Sequence, residues 1–257
     1  MAYYADLFRR LSGDKPEPCH TYRGPIRRLL KESRSCPTWF SFRAAARDLE
    51  ADLAGVLSRF LSPPVRQRLL KEYFSDVGRY LSDSEFARQV RHRLLRLLVP
   101  ALRQNQRILL IGHSLGSVVA YDCLWELSSD SQYESLWDRS VDTFLTLGSP
   151  LGDETVKEHL AGWRNPPAAR YPSNIRRWVN LSARGDTICY DAHLANDFRP
   201  MRQLKLLEGF QERANLCSMY RGRDGTWNPH KLYGYLILPE VGRLAADFLQ
   251  EGKVKWS

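Results

Sequence analysis

A chain of 257 residues, 43% hydrophobic and with a formal charge of +9, can build one large domain with a substantial core. No stretch approaches the ~20 apolar residues that cross a bilayer. The opening MAYYADLFRRLSGDKPEP lacks the apolar segment of a secretory leader, so the expected location is cytoplasmic. Five scattered cysteines, Cys19, Cys36, Cys123, Cys189 and Cys217, include no C-x-x-C pair. They speak against a disulfide framework and against a zinc site, with a Cys19–Cys36 bridge as the alternative.

Residues 2–8 are aromatic-rich and read as an edge strand. Residues 12–37 are rich in Gly, Pro and charge, with room for a short helix at 26–31. Ala46, Leu49, Leu53, Val56, Leu57 and Phe60 then recur at steps of three and four, which predicts a helix over 42–61. Ser62-Pro63-Pro64 ends it. A second helix is expected over 65–80. Ser82-Asp83-Ser84-Glu85 can cap a third, with Phe86, Val90, Leu94 and Leu97 on one face and Pro100 as a point for a kink. Residues 40–100 are thus expected to be helical and are a candidate cap.

From Arg107 the rhythm becomes strand, helix, strand. A buried strand is expected at 108–111 and a helix at 115–128, followed by a polar loop at 128–135. Further strands are expected at 141–147 and 176–181, weaker ones at 204–207 and 215–219, and a closing helix at 241–249. This alternation implies an α/β fold, with a mostly parallel central sheet flanked by helices. A single domain is expected over 1–257, with 105–257 as the core that carries the chemistry.

The most specific feature lies between the first of these strands and its helix. Gly112-His113-Ser114-Leu115-Gly116 is a G-x-S-x-G motif in a strand–turn–helix setting, the arrangement of a nucleophile elbow. A residue at such an apex sits in strained backbone, so its neighbours two away must be very small. The free amides at the start of the helix can then stabilise a developing oxyanion, with the N–H of Leu115 as the expected donor.

A serine alone is a poor nucleophile at neutral pH. It needs a base to take its proton and a carboxylate to orient that base. With an elbow of this kind the acid and then the base follow later in the chain. Asp186, after the strand in RRWVNLSARGD, fits the acid, with Asp191 and Asp197 further into the loop as alternatives. Asp153 follows the wrong strand. Of six histidines, His230 in TWNPHK precedes the closing region and fits the base. His193 is the competitor, only seven residues past Asp186. His20 and His92 precede the elbow, His113 packs under the turn, and His159 lies in a predicted helix.

The segments LLIGHSLGSVVAYD, TFLTLGSPLG, WVNLSARGDTI and NPHKLYGYL together resemble the serine α/β-hydrolase superfamily. The branch they look most similar to holds lipases and esterases related to lecithin:cholesterol acyltransferase and to GPI-inositol deacylases. YADLF and DVGRYL are similar to bacterial members of that group. The resemblance implies an α/β-hydrolase fold with Ser114 as nucleophile, Asp186 as acid and His230 as base, acting on a small-molecule ester or a lipid without metal or organic cofactor. One feature departs from it. The second oxyanion donor usually comes from a loop after an early strand, often with a His-Gly pair, and this chain has no such pair. An early strand that is absent, or that lies upstream of Met1, would account for this.

The basic charge has three readings: a solvated surface, attraction to anionic headgroups at a membrane or to anionic acyl substrates, or nucleic-acid binding. No RRM, zinc-finger or helix-turn-helix pattern favours the third, so no specific nucleic-acid binding is expected. The function expected from these residues is cleavage of a carboxylic ester. The rival is a hydrolase-like fold retained as a binding module.

Overall fold

In a computed structural model, which describes residues 75–189, 193–221 and 227–250, the fold is α/β. Its order is α1 (Ser75–Ser82), α2 (Ser84–Arg103), β1 (Leu109–His113), α3 (Leu115–Ser129), β2 (Val141–Leu147), β3 (Ile175–Ala183), β4 (Gly209–Leu216), α4 (Leu232–Leu236) and α5 (Pro239–Leu249), with short helical turns between them. The four strands lie side by side in chain order, all parallel. Such a sheet is covered on both faces, which is why β2 and the second half of β3 are buried at nearly every position.

Register sorts the two faces. Leu110, Phe144, Trp178 and Phe210 line up across the strands. Trp178 is fully buried, with ring centroids 5.2 Å from Phe144 and 4.8 Å from Phe198. Helix α3 packs on this face and is buried along most of its length, from Val118 to Leu127. Its outer side is covered by α2 through Phe86, Val90, Leu95 and Leu98. The stretch 75–100, expected as part of a cap, therefore forms the layer behind α3. The 40–74 part of that expectation lies outside the described residues, as do the edge strand at 2–8 and the helices at 26–31 and 42–61. The opposite face is closed by Tyr235, Leu238 and Val241 over Leu145, Leu147, Val179 and Leu181.

Measured against the expected elements, the cap of α2 falls where the sequence places it, and several other elements differ. Asp83 is the N-cap of α2, its carboxylate accepting from Phe86 N at 2.9 Å. Pro100 falls in the last turn of α2, and the helix runs on to Arg103. Residues 131–136 of the predicted loop wind into a 3₁₀ turn. No strand forms at 204–207; the fourth strand is Gly209–Leu216 and overlaps the predicted 215–219 only at its end. Among the described residues that strand pairs only with β3, and its side chains are mostly half-buried, so its Gln211-Glu212-Arg213 core carries no apolar signature. His159 lies in a turn just past a short helix. Cys123 and Cys189 are buried free thiols. Cys217 is disulfide-bonded, contrary to the expectation from the odd, scattered cysteines; its partner lies outside the described residues.

Candidate active site

The parallel sheet delivers its strand ends to one edge, and the chemistry-bearing side chains collect there. β1 ends at His113 and turns at Ser114, whose φ of 53° and ψ of −130° put a non-glycine residue in sparsely populated backbone. Such a conformation costs about 1–3 kcal/mol and persists only where its surroundings enforce it. The enforcement is visible. Ser114 N donates to Leu147 O at 3.0 Å, and Ser117 Oγ donates back to Ser114 O. Ser117 Oγ also bonds Ser149 Oγ at 2.7 Å, tying the elbow to the end of β2. Gly112 is required by close approach, because a Cβ there would lie 2.6 Å from Ser117 Cα.

Across from Ser114 stands His230. Its Nε2 is 3.0 Å from Ser114 Oγ, and its Nδ1 is 3.0 Å from both carboxylate oxygens of Asp186. A carboxylate only accepts, so Nδ1 carries the proton and Nε2 is left as the acceptor for the serine hydroxyl. Exposure follows the same gradient. The side chain of Asp186 has none, while that of His230 keeps 26%. Burial pushes the Asp186 carboxyl up, but the hydrogen bond and charge of His230, the Tyr235 hydroxyl and the Ile188 amide outweigh it and leave the group below the ordinary carboxylate range. Leu115 and Gly116 open α3, where helical geometry supplies no carbonyl for the first amides.

The other candidates have different partners. His193 is 72% exposed and lies 3.8 Å from Glu212. Asp197 pairs with the buried Lys157 at 3.2 Å. Asp153 caps a short helix, accepting from Val156 N at 3.1 Å. Asp191 lies outside the described residues. No cluster of His, Cys, Asp and Glu able to hold a metal occurs among the described residues.

Two contributors were invisible in the sequence. His113 does more than pack under the turn. Its Nε2–H donates to the backbone carbonyl of His230 at 2.7 Å, and the two rings lie 4.8 Å apart. Burial, reinforced by the nearby charge of His230, lowers its pKa to about 4, so it stays neutral at pH 7. Tyr235 is fully buried and donates to Asp186 Oδ2 at 2.6 Å. Gly148, with φ of 53°, follows β2 beside Tyr235 and Asp186, and a Cβ there would lie 2.8 Å from Asp186 Oδ2. The only sequence hint of either contact was proximity: GHS beside the serine and HKLYGY just after the histidine.

A family model described as a PGAP1-like alpha/beta domain matches residues 70–160. This stretch is similar to an α/β-hydrolase-type domain. The match covers α2, the elbow and β2, and stops short of Asp186 and His230; it supports the superfamily and no narrower branch. No curated protein and no solved structure compared with the chain matches it.

Proposed function

We propose that the chain is a serine hydrolase that cleaves a carboxylic ester through an acyl-serine intermediate. The observation that carries this reading is the unbroken hydrogen-bond chain from Asp186 through His230 to Ser114. In this mechanism Ser114 Oγ attacks the ester carbonyl while His230 Nε2 takes its proton. Asp186 holds the imidazole in the required tautomer and stabilises its cation. The N–H of Leu115 bonds the oxyanion. His230 then protonates the leaving alcohol and, in the second half, activates the water that releases the acid. Each step is acid–base and nucleophilic, so the chemistry calls for no metal or organic cofactor.

The substrate we infer is a small-molecule ester or a lipid, reached in part through electrostatic attraction of the basic chain to anionic headgroups. No described helix is long and apolar enough to cross a membrane. A cytoplasmic location is likewise a proposal, and the Cys217 disulfide weighs against it, because such bonds persist mainly in oxidising compartments.

A second reading, a binding or regulatory module on the same fold, is favoured by one observation: the sequence contains no His-Gly pair to supply the second oxyanion donor. Loss of one donor costs about 2.7–4 kcal/mol of barrier. Covalent labelling with a fluorophosphonate separates the two. Labelling of the intact chain that vanishes in Ser114→Ala supports the hydrolase; a folded chain that resists labelling supports the module.

A further inference from the structure

We propose that Tyr235 is a positioning residue, a fourth member of the chain that runs through Asp186 and His230 to Ser114. The inference rests on the hydrolase reading for its catalytic consequence, but not for its physical content.

The phenol is held so that it can do one thing. Ala183 N donates to Tyr235 Oη at 2.8 Å, which occupies the oxygen from one side. The hydroxyl proton is then directed at Asp186 Oδ2, 2.6 Å away, the buried Cys189 Sγ at 3.7 Å being its other polar neighbour among the described residues. Asp186 therefore has a divided set of donors. His230 Nδ1 reaches both oxygens, Ile188 N bonds Oδ1 at 3.0 Å, and Tyr235 bonds Oδ2. A carboxylate sealed from water needs such donors to stay ionised, and a hydrogen bond to a charged group is about twice as strong as a neutral one.

The geometry also links acid and base along the chain. Tyr235 sits on α4, five residues after His230, so the helix that follows the imidazole loop anchors itself to the carboxylate that orients that imidazole. His113 grips the same loop from β1, through the carbonyl of His230. The ionisable groups facing this cluster are His113 from β1, Cys189 from the turn after β3, and Lys231 on the loop itself. Burial, with the charge of Asp186, drives the Tyr235 hydroxyl far above its usual range, so it remains a donor at every working pH.

Tyr235 shares the negative charge of Asp186 with His230. Without the phenol hydroxyl that charge falls more heavily on the imidazole, and the coupled Asp186–His230 titration moves to higher pH. The test is histidine NMR of the full chain, following the His230 ring in the wild type, in Tyr235→Phe, and in protein carrying 3,5-difluorotyrosine at 235, a stronger donor of nearly the same shape. The expected result is an upward shift of about half a pH unit or more in Tyr235→Phe. A downward shift is expected with difluorotyrosine. An ester kcat/KM profile should move its acid limb in the same directions.

A His230 titration that stays put in both proteins overturns the proposal. Should Tyr235→Phe fail to fold, the difluorotyrosine protein alone decides. NMR shifts as expected in a chain that neither hydrolyses esters nor takes a fluorophosphonate would sink the hydrolase reading and leave the role of Tyr235 standing.

Discussion

One methyl group at Gly112 tests whether the elbow is held by close backbone packing. A Cβ there would lie 2.6 Å from Ser117 Cα and 2.9 Å from both Gly116 O and Ser117 N. Ordinary carbon contacts sit at about 3.5–4.0 Å, so α3 and β1 must separate by about 1 Å. All three obstructing atoms are backbone, and no change of rotamer relieves them. The cost belongs at the top of the overpacking range, about 3 kcal/mol, which lowers Tm by roughly 6–12 °C for a domain of this size. The same displacement carries Ser114 Oγ out of its 3.0 Å contact with His230, and misplacement by ~1 Å costs about 100-fold in rate. Gly242 is the internal control. It lies within α5 with nothing inside 4 Å of its added Cβ, so Gly242→Ala should stabilise by about 0.5–1 kcal/mol through helix propensity. Urea denaturation with a common m value reads the stabilities, and the rate of fluorophosphonate labelling reads the site. A Gly112→Ala protein as stable as the wild type and labelled at the same rate would refute the packing argument.

The remaining predictions concern groups outside the Ser114–His230–Asp186 chain. Asp122 is sealed inside α3, where it accepts from Tyr80 Oη and Ala161 N, both at 2.8 Å; burial outweighs these bonds and raises its pKa to about 6. Because the folded value lies above the unfolded one, its protonated form adds stability at low pH that is lost as pH rises from about 4 through 6, about 3 kcal/mol in all. Asp122→Asn should flatten that part of the stability–pH curve in urea titrations, and an unchanged slope would contradict the assignment. For Cys217, alkylation of protein trapped in intact cells should leave it unmodified until a reductant is added. Immediate alkylation would show a free thiol and remove the argument against the cytoplasm.

What could be read from the sequence was whatever depends on neighbours in the chain. The elbow is a local device: five residues specify the turn, between a short apolar strand and a helix that is buried along most of its length. β2 and β3 were legible for the same reason. β4 was not, since Gln211, Glu212 and Arg213 belong to a strand that, among the described residues, is held by pairing with β3 and not by its own apolar pattern. Asp186 could be singled out because it follows β3, a strand legible from its own pattern, and His230 because it precedes the closing helical region. Tyr235 and His113 could not, because their roles depend on how α4 returns under the sheet, and aromatic residues in an apolar segment look like ordinary core. Helix α2 was misplaced on similar grounds: its apolar face is the same whether it covers a pocket or backs α3.

The proposed mechanism requires a covalent intermediate at Ser114. Rapid mixing with excess p-nitrophenyl ester, acid quench and peptide mass analysis would look for it directly. A burst of p-nitrophenol, an acyl adduct on the Ser114 peptide, and the loss of both in Ser114→Ala are predicted. Turnover without any adduct, or an adduct on another residue that survives Ser114→Ala, would contradict the account.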